Sequence, residues 1–164
     1  MTEPEDYTVQ NPDSYYATDH FEEFAEHFKD IRNCRVLNIG CGKGQSLESR
    51  PRWSGVDFNP DVQSERVSKA DARKLIGFWQ YEFEYTVSVD FLEHVKPEDV
   101  PTVSEELHRV AEHGIHVIHL TAESYFRGVD GKNLHPSGNK PIEWWAEQLG
   151  AETTLIGHHL LAQW

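Results

Sequence analysis

The junction Arg35-Val36-Leu37-Asn38-Ile39-Gly40-Cys41-Gly42-Lys43-Gly44 constrains the fold more than any other feature of the chain. Its first half is a short apolar run without the polar alternation of a half-exposed strand, so it reads as a strand buried on both faces. Its second half packs three glycines into five residues. Glycine adopts positive φ at no steric cost and lets a ligand approach the backbone closely. The spacing narrows the ligand class. A dinucleotide fingerprint, GxGxxG, needs glycine at position 45, where Gln45 stands. A Walker loop needs a Lys-Ser/Thr pair after the glycines, and Gly44-Gln45-Ser46 supplies none. The pattern that remains is GxGxG.

Other segments alternate around this junction. Phe21, Phe24, Ala25 and Phe28 recur at helical spacing, and Asp19 is placed to cap them, which predicts a helix over 19–30. Short strands are expected over 54–58 and 65–68, and a clear β-branched and aromatic one over 85–89. Helices are expected over 44–49, 72–80 and 97–111, the last with Val100, Val103, Leu107 and Val110 on one stripe. Gly114 breaks the pattern, a buried strand follows over 115–120, and a long loop runs through 121–140. A helix over 141–149, stopped by Gly150, precedes two strands over 153–156 and 159–161 joined at Gly157-His158. Strands alternating with helices, then two strands together, predict an α/β fold: a doubly wound, mostly parallel sheet with antiparallel C-terminal edge strands.

A chain of 164 residues fits a single domain, spanning 1–164. Within it, 1–30 is expected to form an acidic arm and N-terminal helix, 33–120 the core, and 121–164 a loop, helix and terminal strands. The net charge is −13 and the pI near 5.1. Residues 1–30 carry nine carboxylates against Lys29 alone. Such a surface repels polyanions at long range, so nucleic acid is not an expected partner. No apolar run approaches a membrane span, and the acidic N-terminus lacks the basic and apolar regions of a signal peptide. Cys34 and Cys41 form no CxxC pair. A cytoplasmic location, away from membranes, is the expectation.

Four motifs in order resemble those of the class I S-adenosylmethionine-dependent methyltransferases, which have a Rossmann-like sheet. The resemblance covers roughly residues 33–120. Its first motif is Asn38-Ile39-Gly40-Cys41-Gly42-Lys43-Gly44, its second Val56-Asp57-Phe58-Asn59, its third Lys69-Ala70-Asp71-Ala72, and its fourth Val89-Asp90-Phe91-Leu92-Glu93-His94. It implies S-adenosylmethionine as cofactor, with Asn38, Gly40, Gly42 and Gly44 passing beneath the methionine part. It also implies Asp57, with Phe58, at the ribose hydroxyls, a task suited to a carboxylate because it accepts two vicinal hydrogen bonds. Asp71 and the Ala72 amide would read the adenine edge, and Asp90 and Phe91 would lie near the amino group. The family's first motif usually opens with Asp or Glu where this chain has Asn38. Fewer than ten residues separate Phe58 from the strand expected over 65–68, so the helix usually found between the second and third strands is missing or reduced to a turn.

The ten histidines show no recognisable zinc spacing, and no metal is expected. In Leu134-His135-Pro136-Ser137 the resemblance places His135 beside the transferred methyl group, where a neutral imidazole accepts a proton from a substrate. A loop-pinning histidine is the structural alternative. Asp90, Glu93, His94 and His135 are candidate catalytic residues, with His135 and Asp90 favoured. Tyr7, Tyr15 and Tyr16 are candidates for a lid, and Phe78, Trp79, Tyr81, Phe83 and Tyr85 for the core. The expected function is methyl transfer to a small, hydroxylated or sugar-like molecule. The competing reading is a non-catalytic domain that keeps the fold as a binding partner or regulatory subunit.

Overall fold

The computed structural model describes residues 20–58, 64–121 and 133–164. Seven strands form one sheet: β1 (Val36–Ile39), β2 (Trp53–Asp57), β3 (Val67–Lys69), β4 (Phe83–Val89), β5 (Ala111–His119), β6 (Glu152–Ile156) and β7 (His159–Gln163). Their order is β3-β2-β1-β4-β5-β7-β6. The first five pair in parallel, and β7 joins β5 and β6 antiparallel. The expected doubly wound, Rossmann-like sheet with an antiparallel C-terminal edge is what forms. Chain order reverses between β1 and β4, and in open α/β sheets ligands bind outside the carboxyl ends of the strands at such a switch point.

Two apolar layers cover the sheet. On one side, α1 (Val100–Val110) and α2 (Ile142–Leu149) bury Val103, Leu107, Trp145 and Leu149 against Leu37, Ile39 and Ile118. On the other, a 3₁₀ helix, His20–Ile31, buries Phe21, Phe24, Phe28 and Ile31 against Val36, Trp53, Val87 and Val117. Alternate strand residues therefore face different layers, as the period of two requires. Phe21 stacks on Phe28 at 4.4 Å, and the buried Arg50 guanidinium lies 5.0 Å over Phe21 and 5.1 Å over Trp53. Arg50 also donates to Glu22 at 2.9 Å and to the Ser46 carbonyl at 2.7 Å, so it ties the helix to the loop after β1.

Four expectations are corrected. Residues 72–80 form no helix. The Asp71 carboxylate accepts from the Arg73 backbone N–H at 2.9 Å, which closes a local turn, and Gly77 and Tyr81 sit at φ 98° and 53°. Both devices compete with helical hydrogen bonding. Residues 44–49 are reduced to a single 3₁₀ turn, Gln45–Leu47. The fifth strand starts at Ala111, four residues before the expected start, and Gly114 lies inside it without breaking it. A Cβ on Gly114 would fall inside the Trp164 indole, so glycine there makes room for a ring. Trp79 and Tyr81 are exposed, whereas Phe83 is buried as expected.

Asp19 and the tyrosines 7, 15 and 16 lie outside the described residues, as do 122–132 of the long loop. Among the described residues no helix is long and apolar enough to cross a membrane.

Candidate functional site

The carboxyl ends of the strands gather the chemistry. After β1 the chain turns through Gly40, Gly42 and Gly44 at φ 67°, 54° and 78°. The left-handed region favours glycine, which explains all three. Two of the glycines also serve packing: a Cβ on Gly40 would come within 2.5 Å of the Phe91 ring, and one on Gly44 within 2.7 Å of Val67. The loop is pinned from β2, where the Val56 carbonyl accepts from both Gly40 and Cys41. Asp57, ending β2, accepts from the Gly42 backbone N–H at 2.9 Å through Oδ2. Cys41 lies over Gly55, and burial together with Asp57 pushes its thiol up to about 12, so it is not a thiolate nucleophile.

The sequence-expected cofactor residues divide into two groups. Gly40, Gly42, Gly44, Asp57, Phe58, Asp90 and Phe91 all lie at the carboxyl ends of β1, β2 and β4. Phe58 is half-buried, with the Lys69 ammonium 5.6 Å from its ring. Asn38, Asp71 and Ala72 have structural partners. The buried Asn38 amide donates to the Ser46 hydroxyl at 2.8 Å. Asp71 receives the Arg73 guanidinium on both oxygens, and that partner holds its carboxyl below the usual range against the opposing effect of burial. Ala72 packs against the core.

Beside β4 and β5 lies a cluster of histidines and carboxylates. Asp90 takes φ 52°, unusual for a non-glycine residue, and its Oδ1 lies 3.2 Å from His159 Nε2. Glu93 is fully buried, and no side chain of the described residues hydrogen-bonds to its carboxylate oxygens, which have the backbone N–H groups of Glu93 and His119 as neighbours. Burial first, then the Asp90 charge, raises its pKa well above the usual carboxylate value. His94 Nδ1 donates to the Leu134 carbonyl at 2.7 Å, which fixes its tautomer. His119 ends β5 and stacks on His159 of β7 at 4.7 Å.

His135 is presented by a tightly held loop. Its backbone N–H donates to Asn133 at 3.0 Å, and its carbonyl accepts from Gly138. Ser137 then bolts this loop to the segment after β4: its hydroxyl donates to the Val95 carbonyl at 2.6 Å and its N–H to the Glu93 carbonyl. The His135 ring meets His94 edge-on at 4.5 Å and His119 at 5.6 Å. Burial, reinforced by these two neighbours, lowers its pKa to about 3, so it stays neutral at physiological pH.

Glu93, His119 and His135 each offer a ligand atom within 4.8 Å of the others, as do Asp90, His119 and His159. The expectation of no metal rested on spacing along the chain, and spacing does not register groups assembled from four different segments. His119 and His159, three residues from His116 and next to His158 in the chain, give no ligand spacing and so are not among the expected site residues. Their one sequence signal was position, near the ends of strands converging on the same edge. A separate cavity of about 290 Å³, lined by Glu22, Phe28, Arg32 and Arg50 among others, lies toward the amino ends of β1 and β2, away from this chemistry.

The chain is similar in structure to several methyltransferases. An S-adenosylmethionine-dependent methyltransferase from Mesorhizobium loti superposes with a TM-score of 0.65 at 12% identity, over 89% of this chain and 97% of that one. A SAM-dependent methyltransferase from Methanosarcina mazei gives 0.63 at 15%, over 80% and 92%. The DhpI–SAH complex gives 0.65 at 15%, over 93% and 89%. No family model and no curated protein sequence matches. At these identities the likeness shows the fold, which is the class I methyltransferase fold.

Proposed function

We propose that the chain is an S-adenosylmethionine-dependent methyltransferase acting on a small, hydroxylated molecule. One observation carries the reading: Asp57 and the glycine turn meet at the sheet's switch point, joined by the Gly42–Asp57 hydrogen bond. The cofactor fits these residues. A half-buried carboxylate beside a left-handed glycine turn offers both a hydroxyl acceptor and a close backbone approach. Gly40, Gly42 and Gly44 would hold the methionine part, Asp57 the ribose hydroxyls, and Asp90 and Phe91 the neighbourhood of the amino group. With Asp71 committed to Arg73, adenine contacts fall to the backbone around Ala72. The bound cofactor supplies a methyl group on a sulfonium, an electrophile that requires an aligned nucleophile and exclusion of water.

Neutral His135 accepts a hydrogen bond from an acceptor hydroxyl and orients it. A group with pKa near 3 holds a transferred proton poorly, so its role is alignment more than proton storage. The net charge of −13 favours a small-molecule acceptor over nucleic acid. Two observations favour the alternative of a non-catalytic binding domain: the amide of Asn38 is spent on Ser46, and Asp71 on Arg73.

Thermal unfolding separates the two readings. S-adenosylmethionine at about a hundred times its Kd stabilises a binding protein by about 2.7 kcal/mol. The wild type is expected to shift upward with S-adenosylmethionine and not with NAD, and Asp57→Ala to lose the shift. Absence of any shift in the wild type would favour the binding domain.

A further inference from the structure

We infer that Glu93, His119 and His135 form a binding site for a divalent transition-metal ion. The three come from separate elements: the segment after β4, the end of β5, and the loop before α2. Their ligand atoms already lie within 4.8 Å of one another. Tetrahedral coordination at about 2.1 Å per bond holds ligand atoms about 3.4 Å apart. The observed spacing exceeds that by at most about 1.4 Å.

Glu93 is the independent observation. Its side chain is fully buried, and no side chain of the described residues hydrogen-bonds to either carboxylate oxygen; its polar neighbours are the backbone N–H groups of Glu93 and His119. Among the described residues no lysine or arginine forms an ion pair with it, and the nearest charge acting on it is another carboxylate, Asp90. Buried carboxyl groups are paired, coordinate metals or stay protonated. Without a cation, burial and Asp90 hold Glu93 toward its neutral acid; an ion set between it and the two imidazoles would supply the missing partner. The alternative triad, Asp90–His119–His159, shares His119 and is the weaker candidate, because all three of its residues are partly exposed whereas Glu93 and His135 are buried.

The donor set narrows the ion. Two imidazoles and one carboxylate suit zinc, iron(II), cobalt(II) or manganese(II), whereas calcium and magnesium require mainly oxygen. Three protein ligands leave a coordination position open, the arrangement of catalytic rather than structural sites. The loop contacts that orient His135 act as supporting interactions, with Asn133 and Gly138 fixing its backbone. On the methyl-transfer reading, and only there, an acceptor oxygen would take the open position and lose its proton more easily.

The test needs neither cofactor nor acceptor, so its failure is distinct from failure of the methyltransferase reading. Metal-stripped full chain is titrated with zinc by calorimetry and with cobalt(II) by visible absorption. The expected result is one ion per chain, with cobalt d–d bands of a four- or five-coordinate site. Glu93→Gln and His135→Asn should each weaken binding at least about tenfold (1.4 kcal/mol) while circular dichroism stays unchanged. His113→Ala, at an exposed histidine near the other end of β5, should bind as the wild type does. No binding by the wild type would overturn the proposal. So would binding that both Glu93→Gln and His135→Asn leave unaltered.

Discussion

His116 shows how one residue can set the acid stability of the molecule. Its ring is fully buried in β5, with Nδ1 2.8 Å from the Ser88 hydroxyl and Nε2 3.3 Å from that of Thr86, and it stacks on Trp164 at 4.9 Å. Both ring nitrogens face hydroxyls, which donate or accept as required, so the neutral imidazole is satisfied. Burial lowers its pKa to about 3. The unfolded chain takes up this proton near pH 6.5 and the folded chain does not, so the stabilisation is complete above that pH and is lost as pH falls toward 3. One proton corresponds to a slope of about 1.4 kcal/mol per pH unit. Urea unfolding between pH 6 and pH 4 should show His116→Gln losing stability less steeply than the wild type by about that slope. Equal slopes would mean that His116 is not the buried neutral group described. Three residues apart on one strand, His116 and His119 fall on opposite faces, and they have different surroundings: a hydroxyl-lined interior and the histidine cluster.

At the scale of elements, β5 and the 72–80 segment show what local pattern reveals and what it does not. The runs of β1 and the later part of β5 were legible because strands covered on both faces carry continuous apolar character, and β4 because β-branched and aromatic residues favour strands. The extension of β5 back to Ala111 was not legible, because Gly114 reads locally as a breaker while its actual function depends on Trp164, fifty residues away. In the same way, Ala72, Leu75 and Phe78 give a plausible helical stripe, but Asp71 and Gly77 impose turns and the Leu75 amide is taken by Glu106 at 2.6 Å. Gly114→Ala should therefore destabilise by about 1–3 kcal/mol through overpacking. Adding Trp164→Ala should recover part of that loss, since the clash disappears with the ring. Chemical denaturation of the two single variants and the double variant checks this: a non-additive cycle is expected, and simple additivity would disprove the contact.

For the whole molecule, sheet order does what no single motif does. Order β3-β2-β1-β4-β5-β7-β6 places the ends of β1, β2 and β4 side by side, so motifs spread over residues 38 to 91 gather along one edge of the sheet as a candidate site. That gathering of motifs was readable from the sequence, because each motif sits where a strand stops and strand ends are visible in apolar patterning. The histidine–carboxylate cluster was not, because it depends on β7 folding back beside β5 and on Ser137 holding His135 in place. Net charge adds a global bias against polyanions without choosing an acceptor. The central claim is that Asp57 and the glycine turn bind S-adenosylmethionine, and calorimetric titration tests it most directly. The account predicts saturable micromolar binding of S-adenosylmethionine and of its demethylated product by the wild type. It predicts binding at least about tenfold weaker in Asp57→Ala, a loss of 1.4 kcal/mol or more, and no heat with NAD. Wild-type protein that takes up neither ligand, or an Asp57→Ala variant that binds as the wild type does, would contradict it.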